Sequence, residues 1–270
     1  VQYQGGKSFA GRAIVEAIEP YMEPGGLFVD MFCGALNVSR HVGGRPRLAV
    51  DACRPLVTMW QEAMRGWAPP RVVSREVYQR VKENPDPNDP MTAFVLFGCS
   101  HGGKWAAGYA KDRPQQRYAE CAANGVREKA ADCRGLVLRC QDYREVEAFP
   151  PGTVIYCDPP YEGTTGYGAV LPFDPRPFWE WATAKVEAGN LLFISEGYGM
   201  PSDWIPYRTF HRGQGHGGLG GMKEALDRLY VHRSSLMARL VGRLLPRIAR
   251  PSASSSRRPS RHAGSSSERK

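Results

Sequence analysis

The sequence predicts an α/β fold with a mixed, mostly parallel sheet and flanking helices, and three observations lead there. Short apolar runs alternate with helical stretches: Leu27 to Phe32, Arg47 to Asp51, Leu136 to Cys140, Val154 to Cys157 and Leu191 to Ser195. Several of these runs end at a carboxylate or a glycine, where a strand gives way to a loop. Val154-Ile155-Tyr156-Cys157 lacks a polar face altogether, as a strand covered on both sides requires. With 270 residues, 42% of them apolar and 10% aromatic, the chain suffices for one sizeable core and an inserted subdomain.

Ser8 to Met22 opens the series with helical spacing of Phe9, Ile14, Val15, Ile18 and Tyr21, stopped by Pro24-Gly25-Gly26. The strand from Leu27 to Phe32 runs into Cys33-Gly34. After the strand that ends at Asp51, Arg54 to Arg65 forms a helix with Leu56, Val57, Trp60 and Met64 on one side. Residues 1–66 thus read as a βαβ unit with a leading helix. Residues 67–135 break the rhythm. Prolines at 69, 70, 85, 87, 90 and 114 cut them into short pieces, and a helix follows from Gln115 to about Ala131. This stretch is an insertion, mainly helical. The α/β pattern resumes over 136–245, with a helix from Pro175 to Ala188 and a late strand from Leu229 to His232. Residues 213–222 hold six glycines without the Gly-Lys-Ser/Thr of a phosphate-cradling loop, and are expected to be a mobile loop. Leu236 to Leu245 reads as a basic amphipathic helix expected to pack on the core, with DNA or a membrane surface as the alternative. Residues 246–270, with eight serines, are expected to be a disordered basic tail.

Composition excludes several classes. No run of eighteen apolar residues exists, so no membrane span is expected, and no secretory signal opens the chain. Seven cysteines, at 33, 53, 99, 121, 133, 140 and 157, form no Cys-x-x-Cys pair, and the six histidines lack ligand spacing. Reduced thiols, a cytoplasmic location and no metal are expected. The net charge of +9 is unevenly spread: His232 to the end carries ten Lys/Arg and one acid, while residues 65–135 carry twelve against eight. A basic excess confined to one segment and a tail suits a nucleic-acid footprint or a mixed solvated surface.

The octet Val154 to Tyr161 is the most telling. Pro159 and Pro160 must end the strand at Asp158, which puts Asp158 and Tyr161 on a rigid loop at a strand's C-terminal end. In open α/β sheets ligands bind at that edge. A carboxylate, the free carbonyl of Pro159 and an aromatic ring together suit an exocyclic amine on a flat heterocycle.

Asp158-Pro159-Pro160-Tyr161 resembles the D-P-P-Y motif of amino-methyltransferases that use S-adenosylmethionine. Asp30-Met31-Phe32-Cys33-Gly34-Ala35-Leu36 resembles their acidic-x-Phe-x-Gly-x-Gly motif, except that Leu36 stands where the second glycine belongs. Tyr3-Gln4-Gly5-Gly6-Lys7 is similar to an N-terminal Trp-x-Gly-Gly-Lys motif, with Tyr3 for Trp. The motif order, over about 1–232, resembles that of the Dam-like (D12-class, α-group) DNA adenine-N6 methyltransferases.

The resemblance implies a Rossmann-like S-adenosylmethionine-dependent methyltransferase fold with residues 67–135 as target-recognition region. It implies a cofactor site from Tyr3, Lys7, Asp30, Phe32, Gly34, Asp51, Asp142 and Asp158. Lys7 would face the cofactor's carboxylate, and Asp142 would accept from its adenine amine. Asp51, at a strand tip, can accept ribose hydroxyls or serve as a turn or helix cap; Asp142 can also be a cap. Asp158 and the Pro159 carbonyl would accept both N–H bonds of the target amine, Pro160 would stiffen the loop and Tyr161 would stack on a flipped base. His101, Lys104, Trp105, Arg113 and Arg117 are candidate contacts to double-stranded DNA, or ordinary surface. Ser195 to Tyr198 can line the target pocket. The implied reaction is methyl transfer to adenine N6, and the expected state is a monomer with a cognate restriction endonuclease as candidate partner. Cytosine-N4 transfer and a degenerate DNA-binding module remain as alternatives.

Overall fold

The structure, a computed structural model, describes residues 5–111, 117–160, 173–196, 199–211 and 226–235. Seven strands form one sheet: β1 (Phe28–Asp30), β2 (Arg47–Asp51), β3 (Val137–Cys140), β4 (Val154–Cys157), β5 (Leu191–Glu196), β6 (Trp204–His211) and β7 (Leu226–His232). Their order is β3-β2-β1-β4-β5-β7-β6. The first five run parallel, and β7 lies antiparallel between β5 and β6. This mixed, mostly parallel sheet with flanking helices is a Rossmann-like α/β fold. The strand order reverses between β1 and β4, and there the register sets Asp30 beside Tyr156, two residues before Asp158. A crevice forms at such a reversal, outside the strands' C-terminal ends.

Alternation along the strands divides the core, although both sets of side chains are apolar. Val154, Tyr156, Leu191 and Phe193 face α1 (Gly11–Ile18) on one side of the sheet. Ile155, Cys157, Leu192 and Ile194 face α6 (Pro175–Glu187) on the other. Helix α2 (Arg54–Met64) follows β2 and has Pro55 in its first turn, where a missing N–H costs nothing. Then come α3 (Arg75–Glu83), capped by Ser74, and α4 (Pro90–Ala93), capped by Asp89. A π turn over Phe94–Gly98 precedes α5 (Tyr118–Asp132). The 67–135 segment shares one buried cluster with α2, Ala49 of β2 and Leu138 of β3.

Most expected elements are present within a few residues. Two differ. The leading helix starts only at Gly11 and closes in a 3-10 turn, Glu19–Tyr21. Strand β6 was not expected: Pro206 interrupts it, and the β6–β7 register shifts between Pro206 and Arg208. Proline is tolerated there because β6 is an edge strand. The expected glycine-rich loop, the amphipathic helix beyond Ser235 and the tail lie outside the described residues. Among the described residues no helix is long and apolar enough to cross a membrane.

Candidate active site

A cleft with about 1060 Å³ of empty space, part of it open solvent, lies at the C-terminal edge over β1, β2 and β4. Its lining includes Lys7, Asp30, Phe32, Gly34, Asp51, Asp142, Asp158 and Pro160. The fold thus brings together expected residues from five separate parts of the chain. Tyr3, Tyr161 and Arg113 lie outside the described residues, as do Gly197 and Tyr198.

Asp30 sits at the floor, fully buried. Its Oδ2 accepts from Ser39 Oγ at 2.6 Å, whereas Oδ1 has no hydrogen-bond partner among the described residues. Burial pushes its carboxyl up to about 7; the Ser39 bond opposes this, and the charges of Asp158 and Asp51 add to it. A buried carboxylate oxygen without a partner, in the wall of a cleft, is a place for a cationic group.

The turn after β1 forms despite Leu36. That residue adopts φ +54°, the left-handed conformation for which glycine is the usual choice, and its side chain is completely buried. A leucine there carries about 1–2 kcal/mol of strain, so its neighbours must hold the shape. Asp51 Oδ2 accepts from Gly34 N at 2.8 Å, and Trp60 Nε1 donates to the Gly34 carbonyl at 3.0 Å. Lys129 Nζ, from α5, donates to Ala35 O at 2.8 Å and Asn37 Oδ1 at 2.6 Å.

Asp51 also accepts from Cys53 N at 2.9 Å through Oδ1. It therefore serves as a turn cap, yet each oxygen keeps lone-pair capacity toward the cleft. Burial raises its carboxyl, and the two backbone bonds oppose this. Asp142 likewise caps a 3-10 turn, Tyr143–Glu145, in a capping box with Glu145. Arg144 grips it as a fork: Nε to Oδ1 at 2.8 Å and Nη2 to Oδ2 at 2.9 Å. The bond to Arg144 holds the Asp142 carboxyl below its usual range. Both carboxylates thus combine the cap role with a position on the cleft wall.

Lys7 does not face an open anion site. Its ammonium lies 2.6 Å from Asp158 Oδ1 and 3.5 Å from Asp227 Oδ2, at the start of β7. Burial lowers its pKa, but the two carboxylates outweigh burial and the net shift is upward. The ion pair with Lys7 fixes the orientation of the Asp158 carboxylate at the edge of the cleft. Phe32 stacks edge-on against Phe173 and Phe178 and leans on Tyr143, making an aromatic wall. A carboxylate at one end, an aromatic wall and Asp142 at the other complement a ligand with a cationic end and a flat, amine-bearing ring.

Of the expected nucleic-acid residues that are described, His101, Lys104, Trp105 and Arg117 do not line the cleft. His101 and Lys104 are exposed on a loop closed by the Ser100–Tyr109 bridge. Trp105 is half-buried against Phe97, with ring centroids 5.0 Å apart. Arg117, at the start of α5, pairs with Glu120 at 3.3 Å. Lys129, Trp60, Ser39, Asp227 and Arg144 were not expected at the site. Only Arg144, adjacent to Asp142, had a local signal.

No family model matches the chain. Among solved structures, magnesium protoporphyrin IX methyltransferase from Synechocystis PCC 6803 with bound SAM is 10% identical, over 84% of this chain and 79% of that one, with a TM-score of 0.37. An rRNA methylase from Streptococcus thermophilus is 8% identical over 80% and 92%, with a TM-score of 0.34. A conserved hypothetical protein of Streptococcus pyogenes is 11% identical over 83% and 96%, with a TM-score of 0.35. All three scores fall below 0.5, so the fold rests on the strand order and registers given above.

Proposed function

We propose that this protein is an S-adenosylmethionine-dependent methyltransferase that methylates the N6 amine of a flipped-out adenine in double-stranded DNA. The observation that carries the proposal is Asp158. It stands on a Pro-Pro loop at the topological switch point, one oxygen tied to Lys7, at the edge of a cleft whose floor holds the unpartnered oxygen of Asp30.

The cleft's residues suit S-adenosylmethionine: Asp30 Oδ1 would take its ammonium, Phe32 the face of its adenine, Asp51 its ribose and Asp142 its adenine amine. When bound, it supplies an activated methyl group on a sulfonium. The protein's part is placement. An aromatic amine is a poor nucleophile because its lone pair is delocalised into the ring. Asp158 and the Pro159 carbonyl accept its two N–H bonds and favour a pyramidal nitrogen whose lone pair points outward. Lys7 keeps Asp158 in that orientation, and Asp227 keeps Lys7. Alignment of this kind can supply on the order of 7–11 kcal/mol of a barrier. A paired base must leave the stack to reach such a pocket, at a cost of a few kcal/mol.

The test is incubation of purified protein with S-adenosylmethionine and unmodified genomic DNA, followed by nucleoside mass spectrometry. N6-methyladenine is expected, and Asp158→Ala should abolish it while the variant still melts cooperatively. N4-methylcytosine as the product would replace the adenine assignment. Full activity in Asp158→Ala would remove the mechanism.

A further inference from the structure

Lys129 is an unusual group to find where it is. It is 6% exposed, projects from α5, and among the described residues no carboxylate pairs with it. Its ammonium instead lies between Ala35 O and Asn37 Oδ1 and 5.9 Å from the centre of the Trp60 ring. Burial lowers its pKa to about 8, with the Arg40 charge adding to the effect. Burying a cation without a counter-ion costs stability, so packing alone would favour a Met or Leu at this position.

Both of its acceptors belong to the turn that carries the left-handed Leu36, one on either side of it. Trp60, over which the ammonium sits, holds the preceding carbonyl of Gly34. Where glycine would relax the turn by itself, this chain has a leucine, and strained backbone persists only where its surroundings over-determine it. We propose that Lys129 is a positioning residue for the cofactor, the clamp that keeps residues 34–37 in a binding shape without the second glycine. A positive charge directly behind the turn also favours the carboxylate of an S-adenosylmethionine bound in front of it. The inference rests on the cofactor reading above. It also ties the 67–135 segment, through α5, to the cofactor turn.

The experiment is calorimetric titration of S-adenosylmethionine into wild type, Lys129→Met and Lys129→Arg, with deuterium uptake followed in each free protein. Met keeps the stem and loses both bonds. Arg keeps the charge, but its wide planar fork does not fit between two acceptors set for an ammonium. Cofactor affinity should fall about tenfold in both variants, as the loss of charged hydrogen bonds implies. Uptake should rise in peptides spanning 34–38 and stay unchanged in those of β4 and β5. Because both variants carry the same expectation, failure of one to fold leaves the other decisive. Affinity within twofold of wild type in a cooperatively melting variant overturns the inference and leaves the cofactor reading intact. Uptake that rises equally throughout the sheet makes Lys129 merely structural, and also overturns it. If wild type itself takes up no S-adenosylmethionine, the cofactor reading falls and the clamp falls with it.

Discussion

Asp30 shows how one residue can trade stability for binding. Its folded pKa of about 7 lies above the ordinary 3.8, so the folded state holds a proton that the unfolded chain has lost. Between pH 4 and 7 the native protein binds more protons, and linkage makes stability fall as pH rises across that window. Asp30→Asn removes the ionisable group. It should melt at the same temperature as wild type near pH 4 and progressively higher by pH 8, which thermal scans across pH would show. Its affinity for S-adenosylmethionine should fall and lose its pH dependence, because only the ionised wild-type side chain offers a counter-charge. An affinity that rises from pH 6 to 8 equally in both proteins would disconnect Asp30 from the cofactor. Asp51 and Asp158 were legible in sequence because each ends an apolar run, whereas Asp30 lay inside the expected run from Leu27 to Phe32 and was marked only by the resemblance of its motif. Lys129 and Asp227 were not legible. Lys129 meets its acceptors across 94 and 92 residues of chain, and Asp227 meets Lys7 only because β7 folds back beside β5. No local pattern marks such contacts.

At the scale of elements, two contacts hold pieces of the molecule in register. Helix α1 lies so close to the turn after β1 that a Cβ on Gly11 would collide with the Asn37 carbonyl, a backbone atom with little room to yield. Gly11→Ala should therefore destabilise by roughly 1–3 kcal/mol, the usual cost of overpacking, despite alanine's better helix propensity; chemical denaturation would measure it. The second contact stiffens the 101–108 loop. Tyr78 OH bonds Ser100 Oγ at 2.8 Å and accepts from Gly108 N at 3.1 Å, and Tyr109 OH donates to Val73 O at 2.7 Å. Tyr78→Phe leaves buried Ser100 without that partner and should cost about 1–3 kcal/mol. If His101 and Lys104 touch DNA, the same variant should weaken DNA binding severalfold with cofactor affinity unchanged, as paired titrations would reveal. Strand β4 matches its expected bounds because a run without a polar face admits few readings, and β2 matches because Arg47 and Asp51 bracket its apolar run. Strand β6 was missed because Pro206 reads as a breaker, and only its place at the sheet edge, which no single segment discloses, makes it permissible.

Across the whole molecule, charge is arranged against a simple electrostatic embrace of DNA. The cleft wall carries Asp30, Asp51, Asp142, Asp158 and Asp174 against Lys7 and Arg144, and both cations are engaged by those acids. Phosphates should avoid such an edge. A nucleic acid can present a base there only if cationic groups elsewhere hold its backbone, and in the sequence the basic excess falls in 65–135 and beyond His232. This separation makes the DNA proposal quantitative. Neutralising about five phosphates gives a log–log salt slope of roughly −4.5, or about a 500-fold loss of affinity between 50 and 200 mM salt. Removing residues 246–270 should flatten that slope and leave methyl transfer at low salt intact, because the tail adds basic charge but none of the expected site residues. Fluorescence anisotropy with a short labelled duplex, at four salt concentrations, measures both slopes. A full-length slope near zero would mean that no phosphates are neutralised, and the substrate would then have to be sought among small amines instead of DNA. A steep slope that survives the truncation would assign the contact to residues 65–135, where His101, Lys104 and Arg117 become the next side chains to replace.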